Sequence, residues 1–271
     1  MDDEWNRKSR ANPTADSGSR YAQSKSLLDH YWQSKCGSYT LYHGDCLALL
    51  PYIDGVDAVV TDPPYGIART NHGGLRMLES RGMIANDDSQ IVGQAVIDWA
   101  NLKSLPLAAF ASPRAQWAGN WRNLIVWDKG GAVGGGGDLE TYLKLSWELI
   151  QVARNKKING IRDTSVWRHV VTQLDFENHP NEKPIPLMER LIDTLFFDSG
   201  TILDPFAGSS ATGIACVRLN RRFIGIELHE PYCEISAKRM EREIAQGRLF
   251  KPEKPVERQH AIFIDPRECL P

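Results

Sequence analysis

The feature that most constrains this chain is the alternation, between residues 39 and 245, of short β-rich runs with amphipathic segments. Residues 39–42, 57–61, 107–111, 123–127, 147–153, 201–203 and 223–226 read as strands; 46–52, 186–197, 210–219 and 231–245 read as helices. Several of the strands are apolar throughout, as strands buried on both faces are. The alternation predicts an α/β fold, a mostly parallel sheet with helices on both faces. In such sheets ligands sit beyond the carboxyl ends of the strands, so the residues that follow each strand become the candidates for chemistry.

Composition narrows the class. With 42% hydrophobic and 24% charged residues, wholesale disorder and fibrous architectures are poor readings. No apolar run approaches the roughly 20 residues of a membrane span, and the acidic start Met1-Asp2-Asp3-Glu4 lacks the pattern of a secretory signal, so a cytoplasmic location without membrane attachment is expected. The five cysteines are scattered with no Cys-x-x-Cys pair, which predicts reduced thiols and no metal site. A net charge of −2 means that any nucleic-acid partner must be held by local basic clusters. Residues 1–36 read as a loose polar arm ending in a short helix, 37–250 as the main α/β domain, and 251–271 as a polar tail with one strand-like patch at 261–264. Three segments interrupt the alternation and read as loops, at about 68–90, 130–140 and 154–177, the places where small target-recognition elements would lie in a nucleic-acid enzyme. The first carries Arg69, His72, Arg76 and Arg81. The third carries Arg154, Lys156, Lys157, Arg162 and Arg168, and the glycine run 134–137 between them reads as a solvated linker or a closing loop.

Thr61-Asp62-Pro63-Pro64-Tyr65-Gly66 carries the strongest chemical signal. Consecutive prolines cannot continue a central ladder, and they aim one carboxylate, one carbonyl and one aromatic face into a small space. That set suits an exocyclic amine on a planar heterocycle: Asp62 and the Pro63 carbonyl accept from the amine protons, and Tyr65 stacks on the ring through its face rather than its hydroxyl. The competing reading is a helix-capping turn.

The second motif, Asp204-Pro205-Phe206-Ala207-Gly208-Ser209-Ser210-Ala211-Thr212-Gly213, runs from strand through tight turn into helix. Small residues let a ligand approach the backbone, and free N–H groups at a helix start receive an anion. It has neither dinucleotide glycine spacing nor the Lys-Ser/Thr of a phosphate loop. Glu227, after the next strand, is placed to hold both hydroxyls of a ribose, or else is a surface carboxylate at a strand end. A nucleoside bearing a carboxylate, such as S-adenosylmethionine, satisfies both ends.

Together, Asp62-Pro63-Pro64-Tyr65 and Asp204-Pro205-Phe206-Ala207-Gly208-Ser209 resemble the amino-group DNA methyltransferases, the adenine-N6 and cytosine-N4 enzymes. The catalytic motif precedes the cofactor motif, with His179-Pro180-Asn181-Glu182-Lys183-Pro184 just before the latter, an order similar to the family's permuted beta group. The resemblance implies a Rossmann-like S-adenosylmethionine-dependent methyltransferase fold. It implies catalytic roles for Asp62, Pro63, Pro64 and Tyr65, and cofactor contacts from Asp62, Asp204, Phe206, Ala207, Gly208, Ser209, Ser210, Thr212, Glu227 and Leu228. It adds Asp45 and Cys46 of the Gly44-Asp45-Cys46 segment beside the cofactor adenine, although Asp45 also reads as a helix N-cap. Lys183 matches a family lysine on the cofactor side and otherwise reads as a solvated helix-start residue. Trp127-Asp128-Lys129-Gly130 and Trp147-Glu148 resemble positions around the target pocket, with Lys129 joining the basic clusters as a DNA contact; both tryptophans also suit a core.

The expected activity is methyl transfer from S-adenosylmethionine to adenine N6 in duplex DNA, with the base flipped from the stack. Asp62 favours adenine, since cytosine-N4 relatives more often carry serine there. Cytosine-N4 transfer, an RNA or protein amine methyltransferase, and a noncatalytic DNA-binding member are the alternatives. A homodimer is compatible with the sequence, and a restriction partner is left open. The interval from Asp62 to Asp204 is mostly consumed by the sheet, which leaves recognition elements short.

Overall fold

The computed structural model describes residues 31–66, 90–130, 146–153, 163–170, 182–196 and 200–246. Nine strands are present among them: β1 (Trp32–Gln33), β2 (Tyr39–His43), β3 (Ala58–Thr61), β4 (Leu107–Ala111), β5 (Asn123–Asp128), β6 (Trp147–Ala153), β7 (Val166–Arg168), β8 (Thr201–Asp204) and β9 (Arg222–Glu227). The helices are α1 (Cys46–Leu49), extended by a 3-10 turn at Leu50–Tyr52, α2 (Ile91–Leu102), α3 (Ile185–Leu195), α4 (Ala211–Arg218) and α5 (Glu230–Gln246). The strands form one sheet in the order β1-β2-β9-β8-β3-β4-β6-β5-β7. Every pairing from β2 to β4 is parallel, whereas β6 runs antiparallel to both β4 and β5.

Two apolar layers flank the sheet. Along β3 and β4 the side chains alternate between them: Val60, Ala108 and Phe110 join α3, α4 and α5, while Val59, Leu107 and Ala109 join α1 and α2. This is the period-two division of a strand buried on both faces. Helix α3 shows how the sequence sets such a layer. Leu187, Met188, Leu191, Ile192 and Leu195 recur at helical spacing and are all buried.

The direction of β6 matters most for the site. Ala111, the last residue of β4, pairs with Leu149, and Asp128, the last of β5, pairs with Trp147. The beginning of β6, with Glu148, therefore lies at the same edge of the sheet as the carboxyl ends of β3, β4 and β5. Chemistry-bearing residues converge there from strands running both ways.

Three departures from the sequence reading concern elements. The end of the polar arm is a strand rather than a helix: Gly37, at φ +70°, turns the chain so that Trp32 and Gln33 pair with Leu41 and Thr40, and the Trp32 indole donates to Glu241 of α5 at 2.9 Å. Helix α2 occupies a segment with no sequence assignment. Its buried stripe of Gly93, Val96, Ile97 and Ala100 follows helical spacing, but small residues make it faint. Strand β7 lies inside what reads as a recognition loop, pairing with β5 at the sheet edge through only three residues.

Candidate active site

Thr61 ends β3, and the backbone leaves the sheet at Asp62-Pro63-Pro64-Tyr65. Both oxygens of the Asp62 carboxylate are engaged within the protein. Oδ1 accepts from the Tyr65 hydroxyl at 2.5 Å, and Oδ2 lies 2.7 Å from the Lys183 ammonium. Burial pushes the Asp62 carboxyl up, and the neighbouring Lys183 cation opposes this. Pro63 and Trp117 both stand against Gly93, and Trp117 is fixed by its indole N–H donating to the Phe110 carbonyl at 2.7 Å and by its backbone N–H donating to Gln151 at 2.8 Å. A Cβ on Gly93 would stand 2.6 Å from the Trp117 ring and 2.9 Å from Pro63, so α2 buttresses the catalytic loop at a position only glycine fills.

Lys183 is not a solvated residue at a helix start. It is 8% exposed and sits between the carboxylates of Asp62 and Glu148, the latter at 3.3 Å. Burial alone would lower the lysine, but the two carboxylates hold it above its ordinary value. Burial would raise Glu148, yet Lys183 and Lys129 hold it low. Lys129 in turn pairs with Glu148 and lies 5.0 Å from the Trp127 ring centre. Two cations and two carboxylates thus form one nearly neutral cluster, walled by Tyr65, Phe110 and Trp127 around the Lys183 head. Trp127 is core and pocket wall at once: it is 2% exposed and donates to the His169 carbonyl at 2.9 Å.

The glycine turn follows β8, next to β3 in the sheet. Asp204 is turned inward. Its oxygens accept from Thr61 at 2.9 Å, Thr212 at 2.6 Å and the Phe206 N–H at 3.1 Å, and burial pushes its carboxyl up to about 6 against those three bonds. Asp204 and Thr212 therefore frame the turn from behind and tie it to the catalytic strand. Cys46 is likewise buried in the α1 layer. Lys183, implied by resemblance to lie on the cofactor side, is paired with Asp62. Asp45 caps α1 by accepting from the Leu47 N–H at 2.9 Å.

The open side of the turn is different. Gly208 adopts φ +51°, and its N–H donates to Glu227 at 2.8 Å across the carboxyl ends of β8 and β9. Glu227 also accepts from the His229 N–H at 2.8 Å, and burial raises its carboxyl against these bonds. Gly44 donates to the Glu227 carbonyl at 2.9 Å, so Gly44-Asp45, Glu227-Leu228 and the 206–210 turn adjoin at neighbouring strand ends. The Ser210 hydroxyl is buried with no partner among the described residues, on a backbone held at φ +62°. An acidic side chain, a tight turn beside it and an orphaned hydroxyl at the end of that turn fit a nucleoside carrying an amino-acid tail, as S-adenosylmethionine does.

Arg239 of α5 was not singled out by sequence. It donates to the Ser209 carbonyl at 2.7 Å and pairs with buried Glu182, so it joins the glycine turn to the segment that presents Lys183. A lone arginine in a charged helix gives no sequence signal of this. Of the basic residues read as DNA contacts, Arg69, His72, Arg76, Arg81, Arg154, Lys156, Lys157 and Arg162 lie outside the described residues. Arg168 is exposed beside Asp128, at 3.8 Å.

A mostly parallel sheet with a carboxylate–proline–tyrosine loop one strand from a glycine turn and its facing acid is the architecture of a Rossmann-like methyltransferase. Comparison with known proteins gives the family: the N6/N4 family model described as DNA methylase matches residues 56–238. The chain belongs to that family of DNA methyltransferases, whose methyl donor is S-adenosylmethionine. Type II methyltransferase M2.MboI of Moraxella bovis is 25% identical over 247 residues, spanning 77% of this chain and 90% of the relative. DNA adenine methyltransferase YhdJ of Escherichia coli (strain K12) is 26% identical over 249 residues, spanning 74% and 82%. In fold, the chain is similar to the M1.HpyAVI–SAM complex, at TM-score 0.52, 24% identity and coverage of 74% of this chain and 99% of that one. It also matches the cytosine-N4-specific PvuII DNA methyltransferase, at TM-score 0.51, 13% identity and coverage of 77% and 92%. Among the described residues no helix is long and apolar enough to cross a membrane.

Proposed function

We propose that this methyltransferase acts on adenine N6 in duplex DNA. The observation that carries the reading is the Asp62–Tyr65 loop, a carboxylate, a proline carbonyl and an aromatic ring at one strand end, one strand from the glycine turn. An aspartate at position 62 and the relative named a DNA adenine methyltransferase support adenine over cytosine.

An aryl amine is a weak nucleophile because its lone pair is delocalised. Acceptors on both amine protons favour a more tetrahedral nitrogen, and this stabilisation grows toward the transition state. Asp62 and the Pro63 carbonyl are those acceptors, and Asp62 gives up or shares its Tyr65 and Lys183 partners as the base arrives. Tyr65 stacks on the flipped base and offsets part of the few kcal/mol that unstacking costs. S-adenosylmethionine, when bound, supplies the electrophilic methyl group. Glu227 accepts from both ribose hydroxyls, Gly208, Ser209 and Ser210 receive the amino-acid end, and Asp45 and Leu228 flank the adenine. The basic segments around residues 69–81 and 154–168, with Lys129 beside the pocket, meet phosphates.

The test is to incubate DNA with protein and cofactor, digest to nucleosides and identify the modified nucleoside by mass, then map it by sequencing. N6-methyladenine is expected; N4-methylcytosine would assign the other amine. Glu227→Ala should weaken cofactor binding in calorimetry by at least tenfold, as charged hydrogen bonds contribute about 1.5–3 kcal/mol each. Unchanged affinity would remove Glu227 from the site.

A further inference from the structure

Resting on the adenine reading above, we propose that Lys183 is the specificity-determining donor of the pocket, and that its remaining N–H reads a ring nitrogen beside the amine of the target base. An ammonium has three donors. Lys183 is paired with Asp62 Oδ2 at 2.7 Å and stands 3.3 Å from Glu148 Oε2, an ion-pair contact that leaves this buried oxygen without a hydrogen bond, so at least one ammonium N–H is uncommitted. The Lys183 head lies 5.1 Å from the Phe110 ring centre and 5.9 Å from those of Tyr65 and Trp127, so it points into the aromatic box rather than to solvent. Acceptor and donor therefore stand side by side at the spacing of one hydrogen bond.

That pair complements the edge of a flipped adenine and, equally, the amine and ring-nitrogen edge of cytosine, so what it discriminates against is thymine and guanine. The amine offers a donor to Asp62, and the ring nitrogen next to it offers an acceptor to Lys183. Thymine, with a carbonyl where adenine has its amine, leaves Asp62 facing another acceptor. Guanine places a ring N–H donor next to its amine on one side, against the lysine. A site whose buried polar groups are left unpaired by the wrong base rejects it more strongly than shape alone does.

A bare cation against the ring nitrogen would draw the amine's lone pair into the ring and slow the reaction. Glu148 answers this. It faces Lys183 and also binds Lys129, and with Asp62 it brings the four charges close to neutrality, so the donor is kept without a net positive field at the amine. Glu148 is in this sense a positioning residue: it holds Lys183 and touches no substrate.

The experiment uses the full chain, its cofactor, and duplexes whose methylated adenine has been mapped, with that adenine replaced by 1-deazaadenine or by 7-deazaadenine. Each analogue keeps the amine and removes one flanking ring nitrogen. One of the two should cost the parent enzyme on the order of 10- to 100-fold in kcat/KM, the size of a lost charged hydrogen bond. Lys183→Met should lose a similar factor on ordinary adenine, keep cofactor binding, and show no further loss on that analogue. Transfer to both analogues at the parent rate would overturn the proposal without needing any variant to fold. An undiminished analogue penalty in Lys183→Met would overturn it equally. If ordinary adenine in the same duplex is not methylated at all, the adenine reading itself has failed and this proposal falls with it.

Discussion

Asp62 is held in the free protein by two partners that the amine must join or displace, and this changes what Tyr65 is expected to do. Sequence alone gives the ring a stacking role and the hydroxyl none; the hydroxyl in fact donates to Asp62 at 2.5 Å. Tyr65→Phe should therefore keep stacking yet lose roughly 1 kcal/mol of positioning, a fall in kcat of about fivefold, whereas Tyr65→Ala should lose far more. Steady-state kinetics in which Phe matches the parent would leave the hydroxyl without a role in turnover. Asp204 gives a prediction of another kind. Its carboxyl is raised to about 6 in the folded protein from an ordinary 3.8, so the folded state favours the protonated form. That contribution to stability is complete below about pH 4 and is lost as pH rises through about 6, by about 3 kcal/mol over the window. Asp204→Asn cannot titrate. The stability of the variant relative to the parent should rise between pH 4 and 7, whatever its constant offset, and a difference that stays flat in denaturant titrations would contradict the assigned burial.

At the scale of elements, close approach decides where small residues stand. A Cβ on Gly213 would lie 2.8 Å from the Met240 sulfur and 2.9 Å from Phe223, so α4 touches α5 and β9 through a bare backbone. Gly213→Ala should cost about 1–3 kcal/mol by overpacking, visible as a lowered melting temperature. If Met240 swings aside freely the cost falls toward zero, and a cavity-forming Met240→Ala in the same chain should then rescue nothing. Elements with a strong period or a long apolar run were legible in the sequence: β4 and β6 have the boundaries expected, and α3, α4 and α5 differ from theirs by a residue or two. Helix α2 was not legible, because its buried stripe includes Gly93 and Ala100, which carry little hydrophobic signal. Strands β1 and β7 were hidden for a different reason: two or three residues have no period, and their pairing is set by partners elsewhere in the chain. The site followed the same division. A contiguous motif points to Asp62 and the place after the next strand points to Glu227, whereas the inward turn of Asp204, the burial of Lys183 and the bridge from Arg239 depend on what the sheet places opposite them, which spacing along the chain does not encode.

Across the whole molecule, charge separates two jobs. The pocket is nearly self-neutral, with Asp62, Glu148, Lys129 and Lys183 paired among themselves, while the net charge of the chain is only −2. With DNA held as proposed by the basic residues around 69–81 and 154–168, added salt should weaken DNA binding with a log–log slope of about 0.9 per phosphate contact and leave single-turnover transfer in the bound complex nearly unchanged. Neutralising the basic residues around 69–81 or 154–168 should flatten that slope without altering cofactor affinity. Binding titrations in which both cluster variants keep the parent slope would show that DNA is held elsewhere, for instance by Arg7, Lys8 and Arg10.

The strand order β1-β2-β9-β8-β3-β4-β6-β5-β7 also bears on how the molecule is made. As the chain leaves the ribosome, β3 can pair with β4 soon after synthesis, but β2 has only the two-residue β1 beside it until β9 emerges, and the second edge of β3 waits for β8. Two apolar strand edges therefore stay open for most of translation, and closing them requires parallel pairing across more than a hundred residues, which is slow and exposed to aggregation. Chains stopped before β8 should collect as insoluble material even though they carry the whole catalytic loop.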